Sequence, residues 1–162
     1  MRVRLGMGLA YDEFAVFDDA DATLVLSHRW VLLNASGWKY AITRIDGRML
    51  SMHRLLMLPA DRLVVDHMDG DGLNNQRANL RVCSMAENLR NRRKSSNSKW
   101  PYKGIEFHGG KWRVRITHAG RRQTIGPFDT AEQAAAAYDA AAKKLHGVFA
   151  YLNFPEKLDV AA

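Results

Sequence analysis

Apolar and polar residues alternate strictly through Lys111-Trp112-Arg113-Val114-Arg115-Ile116, which places Trp112, Val114 and Ile116 on one face of a strand and Lys111, Arg113 and Arg115 on the other. Tyr102-Lys103-Gly104-Ile105 leads into that strand, and Arg121 to Ile125 forms another after the Ala119-Gly120 turn. The period then changes. Ala134, Ala135, Tyr138, Ala142 and Leu145 recur at helical spacing behind a Thr130-to-Gln133 capping box, and Gly147 ends the run. The pattern predicts three strands covered on one face by an alanine-rich helix, with the arginines on the other face.

Upstream the pattern is shorter in period and more broken. Trp30 to Leu33 and Trp38 to Ile42 read as paired strands around an Asn34-Ala35-Ser36-Gly37 turn. Leu5 to Val16 holds one or two strands, and Asp18 to Leu26 a helical turn with Asp18 near its start. Met52 to Met57 reads as a helix, in which His53 either hydrogen-bonds within the core or touches a DNA phosphate; Met49, Met52 and Met57 are packing residues. Residues 64–67 form a short strand that Gly70 and Gly72 bring to an end. Ser84-Met85-Ala86-Glu87 is a second capping box, predicting a helix from about Met85 to Lys94 with Asn88 in its first turn. Polar Ser95 to Lys99 reads as a flexible linker. The predicted division is 1–94, a linker at 95–101, a second domain at 102–155 and a tail at 156–162, and no internal repeat is visible.

Between strand and helix lies the densest chemistry, Asp66-His67 through Asn79 to Asn88. An isolated Asp-His pair is ordinarily a turn residue beside a solvated imidazole. Here it stands with a carboxylate and an amide oxygen, Asp66 and Asn88, that suit a hard cation such as Mg²⁺, which takes few protein oxygens and keeps waters. An imidazole such as that of His67 takes a proton near neutral pH. Phosphodiester hydrolysis needs a base for water and a positive centre on the phosphate, and this set offers both. Arg90, Arg92, Arg93 and Lys94 add positive charge just beyond.

The segment resembles the HNH nuclease family, in the branch of phage and intron-borne homing endonucleases. The matching residues are Asp66-His67, Asn74-Asn75, Asn79-Leu80 and Glu87-Asn88, with Trp30, Tyr40 and Met52-His53-Arg54-Leu55 as the lead-in, over roughly residues 25 to 95. That resemblance implies a ββα fold around one divalent metal, Mg²⁺ with Mn²⁺ as a substitute. It implies His67 as general base, Asp66 and Asn88 as metal ligands, and Asn79 as the residue that braces the loop and orients the histidine. His53 and Arg54 stand as supporting residues.

Residues 100 to 155 resemble AP2 DNA-binding domains, on Tyr102, Gly104, Trp112, Gly126, Phe128, Thr130, the alanine run with Tyr138-Asp139, Gly147 and Asn153-Phe154-Pro155. The resemblance implies DNA contact through the exposed sheet face. Lys103, Lys111, Arg113, Arg115, Arg121 and Arg122 are the candidates. Glu106 and Thr124 depart from the plant pattern, so the plant target sequence does not carry over. The expected fold is therefore α+β, a ββα-metal module joined to a three-stranded antiparallel sheet with one helix.

Charge narrows the partner. A net charge of +7 and a pI near 9.8 over 162 residues predict salt-sensitive attraction to phosphates, hence double-stranded DNA. One cysteine, Cys83, excludes an internal disulfide and a multi-cysteine zinc cluster. No signal peptide or membrane-length segment is visible, which points to the cytoplasm of a bacterium or an infected host cell. The reading is a metal-dependent DNA endonuclease, a monomer or weak dimer. Its rivals are a DNA-binding regulator with an inactive nuclease fold and a nuclease that acts on structured DNA or RNA without sequence preference, its sheet supplying only phosphate grip.

Overall fold

Short strands bounded by tight turns dominate the first half of the chain, because its apolar residues recur in runs of three to five rather than at helical period. The computed structural model describes residues 1–6, 13–35, 37–95 and 97–155. Contacts divide the chain into two units, Met1–Asn88 and Leu89–Ala162.

In the first unit β1 (Arg2–Arg4) pairs antiparallel with β2 (Phe14–Val16), and α1 (Ala22–Leu26) follows a single 3-10 turn. Parts of the strands expected in residues 5–16, Ser36 of the expected turn, Ser96 of the linker and the tail from 156 lie outside the described residues. β3 (Val31–Ala35), β4 (Trp38–Ile45) and β5 (Arg48–Ser51) form an antiparallel sheet with Val31 opposite Ile42 and Arg44 opposite Met49. α2 (Met52–Met57) ends at Leu58, whose φ of 43° is left-handed. β6 (Leu63–His67) and β7 (Leu80–Ser84) make a two-stranded ribbon that feeds α3 (Met85–Asn91). Trp30, Phe17, Met52 and Val25 are fully buried and anchor the core, against which Leu56, Val65, Leu73 and Leu80 pack.

Both capping boxes form. Glu87 accepts from Ser84 N at 2.8 Å, and Ser84 Oγ accepts from Glu87 N at 3.3 Å. α3 nevertheless stops at Asn91, three residues short of the expected end.

The second unit has the predicted plan. β8 (Ile105–His108), β9 (Lys111–His118) and β10 (Arg121–Phe128) form an antiparallel sheet with β9 central. α4 (Ala131–His146) lays Ala134, Ala135, Tyr138 and Ala142 on Ile105, Val114 and Ile116. Gly104 has a φ of 73°, and a Cβ there would lie 2.0 Å from the Tyr138 ring, so only glycine permits this approach. β10 runs past Ile125 through a register shift to Phe128, longer than its predicted span. Trp100, within the expected linker, packs edge-on to Trp112.

Candidate nuclease site

His67 closes β6, and its carbonyl immediately accepts from Gly70 N, so the chain turns where the glycines predicted. The ring is buried, lying 4.8 Å edge-on to His53 and 6.1 Å from Tyr40. Its Nε2 donates to Asn75 Oδ1 at 3.4 Å. Asn75 is wholly buried, and its Nδ2 donates to Leu73 O at 3.0 Å, which fixes which end of the amide faces the histidine. With Nε2 carrying the proton, Nδ1 carries the lone pair. Burial lowers the His67 pKa; the Asn75 bond and the carboxylates of Asp69, Asp66 and Asp71 oppose it, and the net direction stays down. The imidazole is therefore neutral at pH 7.

The loop from Met68 to Asn79 holds this arrangement. Asn79 Oδ1 accepts from Asp69 N, and its Nδ2 donates to Asp69 Oδ1 and Asn74 O, at 2.8–3.0 Å. Asp69 also accepts from Asp71 N and Asn74 Nδ2. Although burial pushes the Asp69 pKa up, these donors bring it below the usual value. Asn79 thus ties Asp69 to Asn74 across the loop. Asn75, a residue of the motif given no role, is a hydrogen-bond partner of the imidazole. Asp18 does not cap its helical turn; its carboxylate takes Arg77 N at 2.7 Å, while Arg77 forks onto Asp21. The lead-in segment is an anchor for the loop.

Asp66 points to the opposite face of β6 from His67, following strand alternation. Its carboxylate is buried and accepts from Arg81 Nε at 2.9 Å and Nη2 at 2.6 Å. Sequence reasoning missed Arg81. The ribbon's register, with Leu63 opposite Ser84, sets Asp66 opposite Arg81. Asn88 is half-buried in the first turn of α3, which begins directly after β7.

His53 resolves to the core alternative. Its Nε2 is bonded to Ser51 Oγ at 3.0 Å, and its Nδ1 is buried with no hydrogen-bond partner. Burial, reinforced by His67 and Arg54, pushes its pKa down to about 3. Arg54 is exposed on α2.

In the second unit the register sorts the basic candidates. Arg113, Arg115 and Thr117 share the open face with Arg122 and Thr124, whereas Arg121 lies opposite His118 and so belongs to the helix side. Arg115 pairs with Glu106 and Lys111 with Asp129. Lys103 does not join this face. Its ammonium donates to Arg90 O at 2.7 Å and Arg92 O at 2.6 Å, and burial, with the Arg92 charge, brings its pKa down to about 8 against the pull of Asp139. Lys103 is an internal clamp, which is why residues from Leu89 onward are stitched to the second unit. Arg92 and Arg93 are exposed; Arg90 and Lys94 are partly covered.

A sequence model of the HNH endonuclease family matches residues 57–90, the span from the end of α2 to the last turn of α3. The Uncharacterized HNH endonuclease L560 of Acanthamoeba polyphaga mimivirus is 32% identical over 143 residues, covering 84% of this chain and 71% of that one. The chain belongs to the HNH endonuclease family. It is also similar to two proteins of Arabidopsis thaliana. Dehydration-responsive element-binding protein 2D is 38% identical over 90 residues, 54% of this chain and 44% of that protein. AP2-like ethylene-responsive transcription factor TOE2 is 44% identical over 55 residues, 33% of this chain and 11% of that protein. The chain thus spans less than half the length of these plant relatives. No solved structure matches it.

Within this HNH endonuclease the donor chemistry fits a sparsely ligated hard cation. Among the described residues no group of three or more His, Cys, Asp or Glu is placed to hold a metal. One carboxylate and one amide oxygen, the donors of Asp66 and Asn88, are hard oxygen donors of the kind that divalent cations take. Arg81 meets the Asp66 charge.

Proposed function

We propose that the protein is a metal-dependent endonuclease that hydrolyses phosphodiester bonds in double-stranded DNA. The observation that carries the reading is the neutral, buried His67, its proton fixed on Nε2 by Asn75 and its lone pair on Nδ1. Nδ1 accepts a proton from the attacking water, and imidazolium formed there is stabilised by the Asp69, Asp66 and Asp71 carboxylates around it. Asn79 and Asn75 act before the chemistry, keeping the loop and ring in place. Asp66 and Asn88 would hold a divalent cation, Mg²⁺ or Mn²⁺, supplying positive charge to the phosphate and the departing oxygen. Arg113, Arg115 and Arg122 on the open sheet face, with Lys111, Arg90, Arg92, Arg93 and Lys94, grip the DNA backbone. In this reading the protein serves a mobile-element or homing role, as a monomer or weak dimer in the cytoplasm of a bacterium or infected cell.

The Asp66–Arg81 pair favours one rival, a DNA-binding regulator whose nuclease site is idle. Supercoiled-plasmid cleavage in Mg²⁺, Mn²⁺ or EDTA separates the two. Nicking by wild type that EDTA and His67→Ala each abolish supports the endonuclease. A clean protein that binds the plasmids and leaves them intact in either metal supports the regulator.

A further inference from the structure

Residues 40, 42 and 44 of β4 project from the same face of its sheet. The first of them, Tyr40, stands beside His53 and His67. The row then leads away from the base, Ile42 beside Val31 and Arg44 beside Met49, into a half-open pocket of about 480 Å³. His28 and Arg29, just after α1, form its wall. The pocket has two kinds of surface. Arg29 and Arg44 are exposed, and neither has an ion-pair partner among the described residues. Between them the floor is aliphatic, and Met49 is 64% exposed. Among the described residues no carboxylate lines it.

We propose that this pocket is a DNA subsite that takes one nucleotide of the strand carrying the scissile phosphate, with Arg29 and Arg44 on its phosphate and Val31, Ile42 and Met49 beneath its sugar and base. The inference rests on the endonuclease reading for which strand is cut, and on the pocket's own chemistry for what it holds. Two guanidiniums with no acid beside them among the described residues call for an anion. A bare phosphate would leave the aliphatic floor wet, whereas a nucleotide covers both surfaces, as ligand pockets with an apolar lining and a few placed polar groups do. The spacing agrees. Alternate residues on a strand advance about 6.6 Å, so Ile42 and Arg44 lie about 7 and 13 Å along the row from Tyr40. At about 3.4 Å per nucleotide of duplex axis, that sets the bound nucleotide roughly two to four positions from the cut.

The test is fluorescence anisotropy of a labelled random-sequence 30-base-pair duplex over a KCl series, with wild type, Arg29→Ala/Arg44→Ala and Met49→Glu. All three positions are exposed, so the variants keep the core intact. The double variant is expected to bind about tenfold more weakly at moderate salt, with the salt slope reduced by about one, and Met49→Glu several-fold more weakly. Unchanged affinity and slope in the double variant would overturn the proposal. So would a silent Met49→Glu, since the arginines would then be ordinary surface contacts, and so would a Met49→Glu that alters only self-association in sedimentation. The readout is binding, so failure of wild type to nick plasmid would count against the endonuclease and leave this result standing by itself.

Discussion

At the residue scale the site is built from pairs. Arg81 neutralises Asp66, Asn75 orients His67, and His53 stacks edge-on against the base. Removing one member of a buried ion pair strands the other charge. Arg81→Ala should therefore cost about 3 kcal/mol in EDTA, and saturating Mg²⁺ should raise its melting temperature more than that of wild type; equal shifts would refute a cation beside Asp66. His53 carries a pH signature. Its folded pKa of about 3 lies below the ordinary 6.5, so the native state binds fewer protons than the unfolded chain in that interval. Its contribution to stability is intact above pH 6.5 and is lost as pH falls toward 3. Thermal melts between pH 7 and 4 should show a shallower decline for His53→Phe than for wild type. The adjacent letters of the motif revealed these residues only partly: Asp66 and His67 were legible because their chemistry is unusual side by side, whereas Arg81 and Asn75 matter through register and burial.

At the scale of elements, the sequence was most informative where a long period repeats without interruption. The β9 alternation and the α4 alanine spacing each span enough residues to determine a face, and both faces are as expected. The short strands β1 and β5 leave too little pattern to read, and tertiary pairing sets their limits. Lys103 shows the other blind spot. A lysine beside a basic strand looks like a phosphate contact, and only the folded chain brings the Arg90 and Arg92 carbonyls to its ammonium. Lys103→Met should destabilise the second unit by about 1–3 kcal/mol and speed hydrogen exchange at residues 89–92, while the salt slope of DNA binding stays at the wild-type value. A reduced slope would return Lys103 to the DNA interface.

Across the whole molecule, the residues proposed for the chemistry, His67, Asp66 and Asn88, lie in the first unit, and the open arginine face proposed to grip DNA lies in the second. Among the described residues no helix is long and apolar enough to cross a membrane, and the excess of 24 Lys and Arg over 17 Asp and Glu is available to phosphates. Arg113→Ala/Arg115→Ala should lower DNA affinity and reduce the salt slope by about two, with the single-turnover cutting rate at saturating DNA unchanged. A slower rate at saturation would mean that the sheet also shapes the substrate. A different kind of constraint governs how the chain can vary. A Cβ at Gly72 would fall 2.2 Å from Lys39 O and 2.6 Å from the Tyr40 ring, so the smallest substitution there drives the 68–79 loop off the sheet that flanks His67. In a library of single variants selected for cutting, position 72 would be as intolerant as position 67. A ranking by intolerance alone would place among the reacting groups a residue that has no side chain at all.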